Sequence, residues 1–276
     1  MAGIWPGETR CVVLLTFDVD GTSGWLHRNP ELARYPSLLS MAEFGPSVAI
    51  YRILRILDTY GIKASFFIPG FVAENHPEMV QEVYRRGHEV AHHGYLHEPP
   101  ISLSAEEEAE VLDRGIAILQ GLTGQPPRGY RSPSWELSER SLALLASRSF
   151  LYDSSLMGDD APYWVDAGDG RRLVEVPVHW EWDDAPYYQF APAANIRQVM
   201  ASPEQVFNIW ATGFEGAYEY GRAFCLTLHP YLSGRPGRLL TLERLIRQIQ
   251  TFPKVQFLRC MDAAELWTGR GQEGSG

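Results

Sequence analysis

The 276-residue chain is predicted to be an α/β protein built as a single-domain (β/α) barrel with one irregular unit. Three observations predict this. About eight short apolar runs alternate with segments of helical length, the pattern of parallel strands joined by helices. The length suits one barrel, and no linker, repeat or low-complexity stretch divides it. Asp18, Asp20, His93, Arg131 and His229 all fall at or just past the C-terminal ends of proposed strands, where a barrel gathers its active site. An open doubly wound sheet is the alternative, but the chain has no GxGxxG and no P-loop sequence.

Residues 11–17 are a near-continuous apolar run, as expected of a strand buried on both faces. Residues 21–46 show no regular period and read as a long loop, a feature usually tied to function. Ser47 can cap a helix that Gly61 ends. A strand over 62–68 follows. Pro77 opens a helix that Gly87 closes, and 88–91 form the next strand. Pro99 and Pro100 stop the turn after it. Ser104 with Glu107 makes a capping box for a helix to about Leu122. A short strand lies near 129–131, a helix over 138–147 and a short strand over 150–152. Residues 157–172 read as loop and 173–178 as strand. The remaining elements are a helix from Pro203 to about Tyr220, a strand over 223–228, a helix over 239–250, a strand over 255–259 and a helix over 262–267. The Gly-rich stretch 269–276 reads as a disordered tail.

The formal charge of −10 argues against nucleic acid and anionic membranes as partners. No apolar stretch is long enough to span a bilayer, and no secretory signal is visible, so a cytoplasmic location is expected. Cys11, Cys225 and Cys260 lie far apart in apolar runs and read as buried reduced thiols.

Two stretches carry chemistry. His93 and His97 stand four apart; on a helical turn they would share a face and could grip one metal ion. Catalytic zinc usually takes three protein ligands and keeps a position open, so a third is needed. Asp18 and Asp20, at the end of the first strand and just before Gly21, are the best source. If the strand continued, the two would share a face. His92 and His88 read as structural residues. Trp25 and Trp135 read as pocket walls, and the 179–188 segment, with Trp180 and Asp183, as a substrate wall or a subunit contact. Glu106, Glu107 and Glu108 read as a solvated helix start.

Taken together, Thr16-Phe17-Asp18-Val19-Asp20-Gly21, His93 to His97, Arg131-Ser132-Pro133-Ser134-Trp135 and Leu226-Thr227-Leu228-His229-Pro230 resemble the polysaccharide deacetylase family, also called NodB-like or carbohydrate esterase family 4. The resemblance spans about residues 10–268. It implies a deformed (β/α) barrel and hydrolysis of amide bonds with one divalent metal; mixed N and O ligands suit zinc above all, with cobalt or nickel as alternatives. It implies that Asp20, His93 and His97 are the metal ligands, that Asp18 is the general base, that Arg131 holds Asp18 ionised, and that His229 is the general acid. Backbone N–H near Trp135 would help hold the oxyanion.

Two departures are visible. Val19 separates aspartates that are adjacent in the commonest motif, and Gly94 stands where Ser or Thr is usual. With Gly24-Trp25-Leu26 and the Trp180 to Asp183 segment, they make the chain similar to a subgroup of peptidoglycan deacetylases that lies near hydrolases of cyclic imides and ureides. Two substrates are therefore expected: the N-acetylated sugar of a peptidoglycan- or chitin-like glycan, or a small cyclic amide under the long loop. A non-catalytic glycan binder would be expected to lack Asp18 or His229. The resemblance also implies a homo-oligomer.

Overall fold

The computed structural model describes residues 4–273. Cys11–Asp18 forms β1, buried along its whole length. Its side chains alternate. Cys11, Val13, Leu15 and Phe17 join the core under the helices, while Val12 and Leu14 join the core inside the curl of the sheet. Asp18 is the last inward residue of this series.

The further strands are β2 (Ser65–Ile68), β3 (Glu89–His92), β4 (Gly129–Tyr130), β5 (Tyr152–Asp153), β6 (Tyr163–Asp166), β7 (Arg172–Glu175), β8 (Ala223–Leu228) and β9 (Val255–Leu258). They pair in the order β6-β7-β5-β4-β3-β2-β1-β8, with β9 also on β1. Every pairing is parallel except the β6–β7 hairpin. A parallel bridge between Asp183 and Thr227 ties the segment after β7 to β8, so the sheet curls round on itself. This is the expected deformed barrel, and the eight expected strands are present. The two-residue strands β4 and β5 are where it is least regular.

Several boundaries follow from chemistry legible in the chain. The Ser104–Glu107 capping box starts the helix Ala105–Thr123. A second one, Ser202 with Gln205, starts Pro203–Tyr220. Gly61 and Gly87 take positive φ after their helices, the left-handed conformation in which glycine has no Cβ penalty. All three cysteines are buried and free.

Five expectations are corrected. The stretch 21–46 is not loop: it holds the helix Ser23–Arg28, the 3-10 turn Pro30–Arg34 and the helix Pro36–Phe44. Each piece is too short to display a helical period, and each of the last two begins on a proline, which needs no partner for an N–H. Ser47 caps nothing. The chain passes from Pro36–Phe44 through a π-turn, Gly45–Ala49, straight into the helix Ile50–Thr59, and the Ser47 hydroxyl donates to Glu43 at 2.5 Å. The wider turn accommodates Pro46, which lacks the N–H an α-helix would use. Residues 157–172 contain β6, whose Tyr163, Trp164 and Val165 suit a strand. Its hairpin turns through Gly168, Asp169 and Gly170, all at positive φ. His93 to His97 do not sit on a helical turn. The final helix runs Cys260–Glu273, so residues 269–273 continue it. Its start is held by Asp262, which accepts from the Arg259 backbone and guanidinium. The expected tail at 274–276 lies outside the described residues.

Candidate active site

The site forms where β1, β3, β4 and β8 end on one face of the sheet. Past β1, Val19 turns outward into the core and its N–H donates to Phe67 O at 2.9 Å. The strand alternation therefore carries through to Asp20, which returns to the side of Asp18.

Past β3 the chain turns back sharply. Gly94 has φ +73°, and a Cβ there would lie 3.1 Å from Pro133. Glycine at the position where Ser or Thr is usual thus has a physical reason. The Glu98 carboxylate accepts from the N–H groups of Tyr95 (3.2 Å) and Leu96 (2.7 Å) and pins the loop. His97 itself sits at φ +66°. The two imidazoles converge through this turn, with ring centroids 5.0 Å apart and planes at 80°.

Asp20 faces both rings. Its Oδ1 lies 3.5 Å from His93 Nε2 and its Oδ2 lies 3.5 Å from His97 Nε2. The three groups offer ligand atoms within 4.8 Å of one another. Two details fit a cation. His93 Nδ1 lies 2.7 Å from Arg131 O; a carbonyl only accepts, so Nδ1 carries a proton and Nε2 is the nitrogen turned toward Asp20. Asp20 Oδ1 is buried without a hydrogen-bond partner, a costly arrangement unless something positive fills it. Burial pushes the His97 imidazole down to about 4, against the pull of Asp20, so this ring is neutral near pH 7. Burial alone would push the Asp20 carboxyl up, but His97, His93 and His229 together hold it well below the usual carboxylate range.

A second cluster, Asp183, Asp184 and His229, also brings three ligand atoms together, but its donors are committed. Asp184, fully buried, accepts from the His229 N–H at 3.0 Å, from His229 Nδ1 at 2.7 Å, and from the Ser233 hydroxyl. His229 is left with Nε2 facing the pocket, 3.6 Å from Asp20 Oδ2. Burial disfavours its cation, yet Asp183 and Asp184 outweigh that and raise its pKa well above the ordinary value. Burial likewise pushes Asp183 up to about 7, against the pull of His229. Asp184 was not singled out in the sequence. The signal for it in the sequence is faint, one of two adjacent aspartates in an acidic-aromatic segment; Asp183, expected to bind substrate, lines the pocket.

Asp18 lies beside this group, 2% exposed. Arg131 Nη1 donates to its Oδ1 at 2.8 Å and to Thr16 Oγ1 at 2.9 Å. Arg131 is fully buried; its Nε and Nη2 donate to Ser154 O and Oγ, and its Cζ lies 4.0 Å from the centroid of the Phe67 ring. The guanidinium is thus fixed from several sides. His92 accepts from Gly94 N–H and its other nitrogen meets Leu112 O, the structural role expected.

The pocket over these residues has a volume of about 290 Å³. Trp135 and Trp180 stack as one wall, centroids 4.3 Å apart, and both line it together with Asp183. Ser134 and Trp135 both hold φ +58°, uncommon for such residues and of the kind found at functional sites. The Trp135 N–H donates to Ser132 O at 2.9 Å, so this one of the backbone N–H groups near Trp135 is not free to meet an oxyanion. Trp25 is not a wall of the main pocket; it is 3% exposed, edge-on to Tyr231, and reaches a narrower adjoining cleft. Trp25 belongs to the same buried apolar cluster as Leu32, Leu38 and Ala42.

Comparison with known proteins identifies relatives of the chain. A family model described as polysaccharide deacetylase matches residues 8–150. A peptidoglycan deacetylase from Helicobacter pylori is 32% identical over 274 residues, covering 90% of this chain and 93% of that one. A crystal structure from Mycobacterium smegmatis named for the same family has a TM-score of 0.94 at 38% identity, covering 98% and 95% of the two chains. The fold is also that of PuuE allantoinase, with a TM-score of 0.83 at 24% identity over 96% and 92%. The chain belongs to the polysaccharide deacetylase family.

Proposed function

We propose that this protein is a metal-dependent hydrolase of non-peptide carbon–nitrogen bonds that removes acetyl groups from N-acetylated sugars in a peptidoglycan- or chitin-like glycan. The observation that carries this reading is the convergence on one pocket of Asp20, His93 and His97, the Asp18–Arg131 pair and the His229–Asp184 pair. Asp20, His93 and His97 would hold the ion, and their mixed N and O donors suit zinc, with cobalt or nickel possible. When bound, the ion supplies a Lewis acid for the amide carbonyl and makes water more acidic.

The chain's own groups divide the proton work. Asp18, paired with Arg131 at 2.8 Å, accepts the proton of the attacking water. His229, with its Nδ1 proton on Asp184, offers its Nε2 proton to the leaving nitrogen, which departs as an amine. Two environments with opposite charge balance thus separate base from acid. Trp135 and Trp180 present an apolar stacked face suited to a sugar ring.

The pocket volume supports a second reading. At about 290 Å³ it is near the lower end for small-molecule sites, and the same residues would open a cyclic imide or ureide. Parallel assays of the zinc-, cobalt- and nickel-loaded protein decide the matter. Acetate release from N-acetylated glycan fragments, with chelation abolishing it, is expected. Ring opening of a simple imide without acetate release would replace the first reading by the second, and inactivity with every metal on both substrates would end both.

A further inference from the structure

The helix Ser23–Arg28 does more than cover the core. A Cβ built on Gly24 would lie 3.6 Å from His97 Nδ1, so this face of the helix rests against the His97 ring. Arg28 is four residues on, on the same face, and it lines the pocket with Asp18 and Asp20. Its side chain is exposed. Its Cζ stands 5.7 Å from the centroid of the buried Trp25 ring, which anchors the helix beneath it. Among the described residues the Arg28 guanidinium has no hydrogen bond and no ion pair. The nearby acids are otherwise engaged: Asp18 with Arg131, Asp183 with the Ala185 N–H, and Asp20 toward the imidazoles.

We infer that Arg28 is a specificity-determining residue, selecting N-acetylated sugars that carry a carboxylate a few bonds from the scissile amide. The inference rests on the hydrolase reading above. A guanidinium is a planar fork of donors matched to a carboxylate and is always charged. At the rim of a pocket whose own acids are committed, the anion that completes it comes from the substrate. On exposed surface such a pair contributes little; once a bound sugar excludes water from it, the same pair is stronger.

The alternative is that Arg28 only offsets the negative charge of the pocket. The two roles differ in what they discriminate. The test compares the zinc-loaded full-length protein with R28Q and R28K on a matched pair of ligands: an N-acetylated glucosamine with an ether-linked propionate, and the same compound as its carboxamide. Binding by calorimetry and KM with kcat by acetate release are both read. The wild type is expected to prefer the carboxylate form. R28Q should reduce that preference about ten-fold, in Kd and KM rather than kcat, and R28K should retain part of it. A preference ratio that R28Q leaves untouched, or the absence of any preference in the wild type, overturns the inference, even if both compounds are hydrolysed. A preference in binding that is lost in R28Q, with no acetate released from either compound, would instead overturn the hydrolase reading and leave the role of Arg28 standing.

Discussion

Each acidic residue of the pocket has a partner that sets its chemistry, and this is where substitutions should act. Asp18→Asn removes the proton acceptor while leaving the ligand set. Turnover should fall about 10²- to 10⁴-fold, with metal content by atomic absorption near that of the wild type. His93→Ala should lose the metal itself; full metal occupancy in that variant would rule out His93 as a ligand. Asp184→Asn acts through His229. Asp183 and Asp184 raise the His229 pKa, and the protonated ring is the form that donates. Activity is therefore present below that pKa and lost as pH rises through it. Removing the Asp184 charge lowers the pKa, so the alkaline limb of the kcat profile should move to lower pH and turnover should drop about 10²-fold. An unmoved limb would show that Asp184 does not tune His229.

At the scale of elements, close contacts between helices and sheet decide which substitutions are tolerated. In the helix Ala105–Thr123, Gly115 lies against β3, and a Cβ there would be 2.1 Å from His92 Nε2. The His92 ring cannot retreat, since it is buried against Tyr130 and Phe150. Gly121, in the same helix, would meet nothing within 4 Å. Ala for Gly favours a helix by about 0.8–1 kcal/mol, but overpacking costs about 1–3 kcal/mol. Gly121→Ala should therefore raise the urea midpoint, and Gly115→Ala should lower it, with a net loss of stability of up to about 2 kcal/mol. Capping boxes and glycine stops were legible because they are spelled within four residues. The short helices of 21–46 were not, because pieces of 6, 5 and 9 residues show too little of a 3.6-residue period.

Across the whole molecule, buried imidazoles make the fold sensitive to acid. His88 is 1% exposed, accepts from Ala64 N–H, and is pushed by burial down to about 4. It stays neutral in the fold, whereas the unfolded chain takes up a proton below about pH 6.5. Its folded pKa is depressed, so its contribution declines as pH falls from about 6.5 toward 4. The buried carboxyls Glu89 and Glu175, whose pKa values are raised by burial, act with the opposite sign. A difference measurement isolates His88: the stability of wild type relative to His88→Gln should fall by about 2 kcal/mol between pH 7 and pH 4.5. Parallel urea curves at both pH values would show that His88 does not titrate on unfolding. No helix among the described residues is long and apolar enough to cross a membrane.

The sequence by itself determined the strand–helix alternation, the buried first strand and the family, because periodicity, caps and motif spacing are local properties of a chain. The convergence of Asp20 on two imidazoles was legible for the same reason: strand alternation and the motif place those residues at strand ends. Only the tertiary structure decided that Asp184 holds His229, across 45 residues, that Trp25 belongs to the core, and that Arg28 lines the pocket with no ion pair among the described residues. Those facts depend on which segments the curled sheet makes neighbours, and residues that meet only through strand order leave no mark in the spacing of the chain.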